Sequence, residues 1–80
     1  MTKATFISEF NAQFKEESAS LTSQGEILLQ IPTDRVEEAY TLTGDILDTD
    51  ASDWDDLWTE SYNCEDGYTK CIVNAAEYLK

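Results

Sequence analysis

The sequence predicts a mainly α protein, a small compact bundle of three to four helices, with a short β-hairpin as a minor addition and an α+β arrangement as the alternative. Three observations lead there. Phe6, Phe10 and Phe14 recur every four residues near the N-terminus. Apolar residues between positions 33 and 47 recur at helical spacing behind an acidic start. Residues 52–79 carry two more runs of that spacing, split by a turn from Asn63 to Gly67.

The first helix is expected over residues 4–20, with Ile7 beside the phenylalanine stripe and with Ser8, Asn11 and Lys15 facing water. Ser18-Ala19-Ser20 weakens and ends it. Residues 26–31, Glu-Ile-Leu-Leu-Gln-Ile, form a short apolar run between Gly25 and Pro32. A run so short, ending at a residue that precedes proline, reads as a strand. Such a strand needs a partner, and residues 17–22 could supply one through a Ser23–Gly25 turn. A short helix opened by a Ser23/Glu26 capping box is the other reading.

The second helix is expected over residues 33–47. Thr33 or Asp34 caps it, and Asp34, Glu37 and Glu38 favour the positive end of its dipole. Val36, Ala39, Tyr40, Thr43, Ile46 and Leu47 share its inner face. Gly44 either interrupts it, at about 1 kcal/mol relative to Ala, or ends it. A third helix over residues 52–62 would be capped by Ser52, with Asp53, Asp55 and Asp56 at its start and Trp54, Leu57, Trp58 and Ser61 on one face. A fourth, over 68–79, would turn Tyr68, Cys71, Ile72, Ala75 and Leu79 inward.

Eighty residues make one domain. A domain of this size buries only about 60–65% of the surface its unfolded chain exposes, which leaves little room for a deep catalytic pocket. Hydrophobic residues at 41%, with nine aromatic side chains, still suffice for a core. The absence of histidine removes the commonest general base and a common metal ligand. Cys64 and Cys71 are too few for a disulfide framework and fit no zinc spacing, so both are expected as free thiols. No basic segment leads into an apolar run, and the longest such run is Ile27-Leu28-Leu29. A cytoplasmic protein that does not enter membranes is therefore expected, neither an enzyme nor a cofactor carrier.

Charge is the outlier. Seventeen acids against five bases give a net charge of −12. That balance argues against direct binding to nucleic acids or anionic membranes. Twelve of the acids fall between residues 34 and 66, where Arg35 is the one base, while the flanking segments are nearly neutral. A plain solvated surface normally mixes both signs. The carboxylates expected to contact a partner are Asp45, Asp48, Asp50, Asp53, Asp55, Asp56 and Glu60, with Asp34, Glu37 and Glu38 extending the row and Glu65 and Asp66 at the following turn. Helical residues three or four apart place their Cβ atoms about 5–6 Å from each other. DNA carries about one charge per 3.4 Å along each strand. A groove lined with Lys and Arg distinguishes such rows poorly.

Other constellations fit the sequence less well. Asp48-x-Asp50-x-Ser52 begins as a calcium loop does, but Asp53 stands where such a loop needs glycine and Thr59 where it needs glutamate. Acyl carrier proteins are similar in size and charge, yet their Asp-Ser-Leu motif is missing, since Ser52 follows Ala51 and precedes Asp53. Trp54 and Trp58 read as core, or one of them as a half-exposed anchor for a partner. Tyr62 and Tyr68 flank Glu65-Asp66 as rim residues able to touch a partner.

In composition along the whole chain, and in charge over residues 34–66, the sequence resembles phage-encoded inhibitors of bacterial defence, the anti-CRISPR proteins and other DNA-mimic inhibitors. The resemblance implies a fold peculiar to its own small family and no cofactor. It also implies a basic nucleic-acid-binding partner, such as a CRISPR-Cas surveillance complex or a nuclease, whose site the acids would block. The alternatives are an acidic structural or interaction protein of a salt-loving organism, and an antitoxin-like inhibitor of a ribonuclease.

Overall fold

The computed structural model of the chain describes residues 1–15, 18–49 and 57–79. In chain order these form α1 (Lys3–Phe14), β1 (Ala19–Leu21), β2 (Ile27–Pro32), a 3-10 turn (Thr33–Arg35), α2 (Val36–Leu47), β3 (Trp58–Asn63), β4 (Tyr68–Val73) and the short α3 (Ala75–Tyr78). The architecture is α+β, not a helical bundle. Two hairpins, β1–β2 and β3–β4, join through β2 and β4 into one antiparallel sheet of order β1-β2-β4-β3. Helices α1 and α2 pack together on one face of it.

The first helix begins where expected and ends early. Thr2 caps it by accepting a hydrogen bond from the Thr5 N–H, and Lys15 closes it in the left-handed conformation at φ 65°. The expected extension to residue 20 is wrong because Asn11 recruits the next segment as a strand. Its side-chain amide donates to the Ala19 carbonyl at 3.1 Å, and its Oδ1 accepts from the Ala19 N–H at 2.8 Å. Asn11 therefore faces β1 rather than water.

The β1–β2 hairpin is the one the sequence suggested. Gly25, at φ 81°, supplies the positive φ of its short loop, and the Thr22 hydroxyl accepts from the Gln24 and Glu26 N–H groups. Along β2, Ile27, Leu29 and Ile31 are fully buried while Leu28, Gln30 and Pro32 are not, the period-two pattern of a sheet with one covered face. Pro32 costs no ladder bond. The Gln30 N–H points to β1, where the Ser18 carbonyl accepts it, and the same side at Pro32 lies past the end of β1.

Two further expectations fail between residues 57 and 79. The third helix is β3 from Trp58 onward; the Ser52 cap, Asp53 and Trp54 lie outside the described residues. The fourth helix is β4 for its first six residues, and Tyr68 faces out rather than in. A hairpin wins because Thr59, Tyr62, Tyr68, Thr69, Ile72 and Val73 favour strands. In addition, Glu65-Asp66-Gly67 makes a tight loop, with Gly67 at φ 86°, the Asp66 carboxylate accepting from the Tyr68 N–H, and the Cys64 N–H donating to the Tyr68 carbonyl at 2.7 Å.

The core lies between the sheet and the two long helices. Phe6, Phe10 and Phe14 stack along α1 with ring centroids 5.9 and 5.2 Å apart. They meet Ile27, Leu29, Ile31, Cys71 and Val73 from the sheet and Ala39 and Ile46 from α2. Trp58 is 1% exposed and lies edge-on to Tyr40; its indole N–H donates to the Thr43 hydroxyl, which donates to the Ala39 carbonyl. Trp58 is thus a core residue. Cys64 and Cys71 are both free thiols. Among the described residues no helix is long and apolar enough to cross a membrane.

Candidate functional site

The candidate site is the outer face of α2, and the sequence of that helix dictates it. At 100° per residue, Ala39, Thr43 and Ile46 point one way, and all three are buried. Within α2, Glu37, Glu38 and Asp45 fall within about a 100° arc on the opposite side, and Asp34 in the preceding 3-10 turn and Asp48 at the left-handed C-cap flank them. All five are exposed. From Asp34 to Asp48 the stripe runs roughly 21 Å at 1.5 Å per residue. Beside it an open groove of about 400 Å³ is lined by Gln13 of α1 and by Glu37, Glu38, Thr41, Leu42 and Asp45.

Both ends of α2 depart from expectation. Neither Thr33 nor Asp34 caps it. Arg35 occupies the N-cap position and makes no capping hydrogen bond from its side chain, because the 3-10 turn before it is fastened to the far hairpin. There the Thr33 N–H donates to the Gly67 carbonyl at 3.0 Å, and the Thr33 and Thr69 hydroxyls share a hydrogen bond. At the other end α2 continues through Gly44 to Leu47. It closes with the Asp48 N–H on the Asp45 carbonyl and the Thr49 N–H on the Gly44 carbonyl. These paired bonds close a helix whose next residue is left-handed, a place usually taken by glycine. Here it is Asp48, at φ 55°.

Arg35 is held by structure. Its guanidinium grips Glu38 through two hydrogen bonds of 2.8 and 3.1 Å, lies 3.9 Å over the Phe14 ring, and donates to the Phe14 carbonyl at the end of α1. That contact holds the Glu38 carboxyl below its ordinary range. Arg35 therefore offsets one of the five carboxylates and ties the two helices together.

The charges at the two ends of α2 differ in kind. Asp34, Glu37 and Glu38 lie at the helix start, where the dipole favours anions. Asp45 and Asp48 lie at its end, where the dipole disfavours them, and no basic residue occupies the last turn. Each such charge costs about 0.3–1 kcal/mol at low ionic strength. Stability alone would place Lys, Asn or Gly there.

The remaining acids separate. Asp50, Asp53, Asp55 and Asp56 lie outside the described residues. Glu60 is on β3, whose side chains alternate between faces. It shares a row with Ile72 and Leu28 on the face the helices leave open, so it is across the molecule from the α2 stripe rather than in line with it. Glu65 and Asp66 form the tip of the β3–β4 hairpin. Sequence reasoning named Tyr62 and Tyr68 as rim residues but missed that they share an open sheet face. Tyr62 (52% exposed) and Tyr68 (38% exposed) stand on it around half-buried Lys70, with Gln30 beside Lys70 in register. The signal that could have found it is the Asp66-Gly67 turn between two runs rich in strand formers.

Among the described residues no group of three or more His, Cys, Asp or Glu side chains is placed to hold a metal ion. The arrangement can attract and align cationic groups over a length of about four helical turns. Comparison with protein families, with characterised proteins and with solved structures finds no match to this chain.

Proposed function

We propose that the protein is an acidic inhibitor that binds a basic nucleic-acid-binding site on a partner in the cytoplasm, with the outer face of α2 as a principal contact. The observation that carries this reading is the placement of Asp45 and Asp48. They complete a one-sided carboxylate stripe at the end of a helix where they cost stability, and a local rule broken without a structural gain points to a functional site. The stripe carries four net charges over about 21 Å. A single DNA strand presents about six phosphates over that length. A partner groove built for that spacing receives the helix face as a rigid, lower-density substitute. Basic proteins that act on nucleic acids, nucleases and defence complexes among them, are the matching target class.

The test pairs capture with competition. The immobilised protein is exposed to a bacterial lysate and eluted with a salt gradient, and duplicate columns are washed with short duplex DNA. Late-eluting nucleic-acid-binding proteins that DNA displaces, and that a variant carrying Asp34→Asn, Glu37→Gln, Asp45→Asn and Asp48→Asn fails to retain, support the reading. Retention by that variant of everything the parent retains sinks it for α2. A second variant, with Asn at 50, 53, 55 and 56, reports whether those acids share the contact. A domain from a salt-loving organism is separated by one further observation, because it would unfold below about 0.1 M salt, where screening extends to about 10 Å.

A further inference from the structure

We infer that the outer edge of β3 takes an extended, Lys- or Arg-bearing segment of a partner protein by strand addition. The inference stands on the edge geometry and does not require the reading of α2.

The two edges of the sheet are finished differently. At the β1 edge, the backbone N–H and C=O of Ala19 point away from β2, and both are filled by the side chain of Asn11. That edge is also only three residues long. Strand β3 is six residues long, about 20 Å. Thr59, Glu60, Ser61, Tyr62 and Asn63 are all exposed. An antiparallel ladder alternates hydrogen-bonded and non-bonded pairs. The Cys64 N–H bonds the Tyr68 carbonyl, so the bonded pairs continue at Tyr62–Lys70 and Glu60–Ile72. The N–H and C=O groups of Ser61 and Asn63 are therefore directed outward. Among the described residues no side chain fills them as Asn11 fills Ala19. The unfilled edge from Glu60 to Asn63, about 13 Å long, is a template for another strand.

The occupant follows from charge. Glu60 projects from the strand itself, and Glu65 and Asp66 extend the acidic surface past its end. Lys70, one strand inward on β4, is the basic group near them. A second copy of β3 would set these acids against themselves, with a net charge of −12 on each chain. Like charges across a strand pair are destabilising. A segment with Lys or Arg on alternate positions pairs with the Ser61 and Asn63 backbone and places its cations beside Glu60. The irregularity at Thr59, between the pairs of Trp58 and Glu60, ends the usable stretch and sets its register toward Asn63.

The experiment is an NMR titration of the isotope-labelled full chain at low ionic strength with a peptide of about ten residues alternating Lys and Val. The Ser61 and Asn63 amides are expected to shift most, and their hydrogen exchange to slow by at least about tenfold at saturation. The same peptide, N-methylated along one edge, keeps its charge but cannot pair, and is expected to bind about tenfold more weakly. Ser61→Pro removes an outward donor at an edge position that tolerates proline. It should weaken the parent peptide similarly while the β4 amides stay in place. Equal affinity for the methylated peptide, or shifts confined to α2, would overturn the inference. A β3-paired dimer seen without peptide would overturn it in favour of a second copy, and tight binding of a Glu/Val peptide would overturn the charge assignment.

Discussion

Replacing Asp45 and Asp48 together by Asn should make the protein more stable and a worse binder. Each carboxylate faces the negative end of α2, at a cost of about 0.3–1 kcal/mol. The two lie three residues apart, and like charges at that spacing cost a further 0.2–0.5 kcal/mol or so. Asn keeps the short side chain and tolerates the left-handed backbone at φ 55° that residue 48 adopts. The double variant should therefore gain about 1–2 kcal/mol at low salt, with roughly 4–8 °C in Tm for each kcal/mol in a domain of this size. Urea unfolding at low salt and again near 1 M salt is the assay. The gain should shrink in high salt, where the Debye length falls to about 3 Å. Glu37→Gln is the internal control, since Glu37 lies at the favourable end of the same helix and its removal should give no such gain. Unchanged or lower stability of the double variant at low salt would refute the reasoning, because Asp45 and Asp48 would then be ordinary structural residues.

Phe10→Ala removes a fully buried ring stacked on two others. It should cost about 3–5 kcal/mol, against a total of about 4–12 kcal/mol for 80 residues, so urea titration should show at least about a quarter of the stability lost. Asn11→Ala leaves the outward N–H and C=O of Ala19 unfilled. It should cost about 1–3 kcal/mol, with hydrogen exchange at Ala19 accelerated before exchange in β2. Thiol labelling at mildly alkaline pH should modify half-buried Cys64 quickly and Cys71 only on unfolding, because burial pushes the Cys71 thiol up to about 11. Its protonated form is favoured in the fold, so the stability it confers is complete below the unfolded thiol value near 9 and is lost as pH rises toward 11. A Cys71→Ser variant should lose stability less steeply across that window.

The cores of the elements in the first half of the fold were legible, while their ends were not: α1 stops at Phe14 and α2 is not capped by Thr33 or Asp34. Three phenylalanines at fourfold spacing fit one face of a helix, and for residues 26–31 a short run ending before Pro32 favours a strand over the short helix that Ser23 and Glu26 could also open. The acidic stripe on α2 was legible because charges and core residues of one helix separate on a 100° wheel. The second half misled because two periods fit the same residues. Trp58 with Ser61, and Tyr68 with Cys71 and Ile72, satisfy helical spacing. Yet Tyr68, Lys70 and Ile72 lie on one face of β4 and Thr69, Cys71 and Val73 on the other. Apolar residues stand on both faces, which removes the clean alternation that marks a strand with one wet side. Strand-forming residue types around Asp66-Gly67 were the better guide. The error had a functional consequence. A helix would have set Glu60 in line with the acids before it, whereas a strand sends it to the opposite face. The role of Asn11 was hidden because a polar residue off the apolar stripe reads as solvated until a strand lies beside it.

The account rests most heavily on the α2 face acting as a charged contact. The most direct test is the association rate of the captured partner with the parent chain and with the variant bearing Asn or Gln at 34, 37, 45 and 48, measured across a salt series. The parent rate should fall steeply with ionic strength, and the variant should start lower and fall less. Identical rates and identical salt slopes for the two proteins would contradict it.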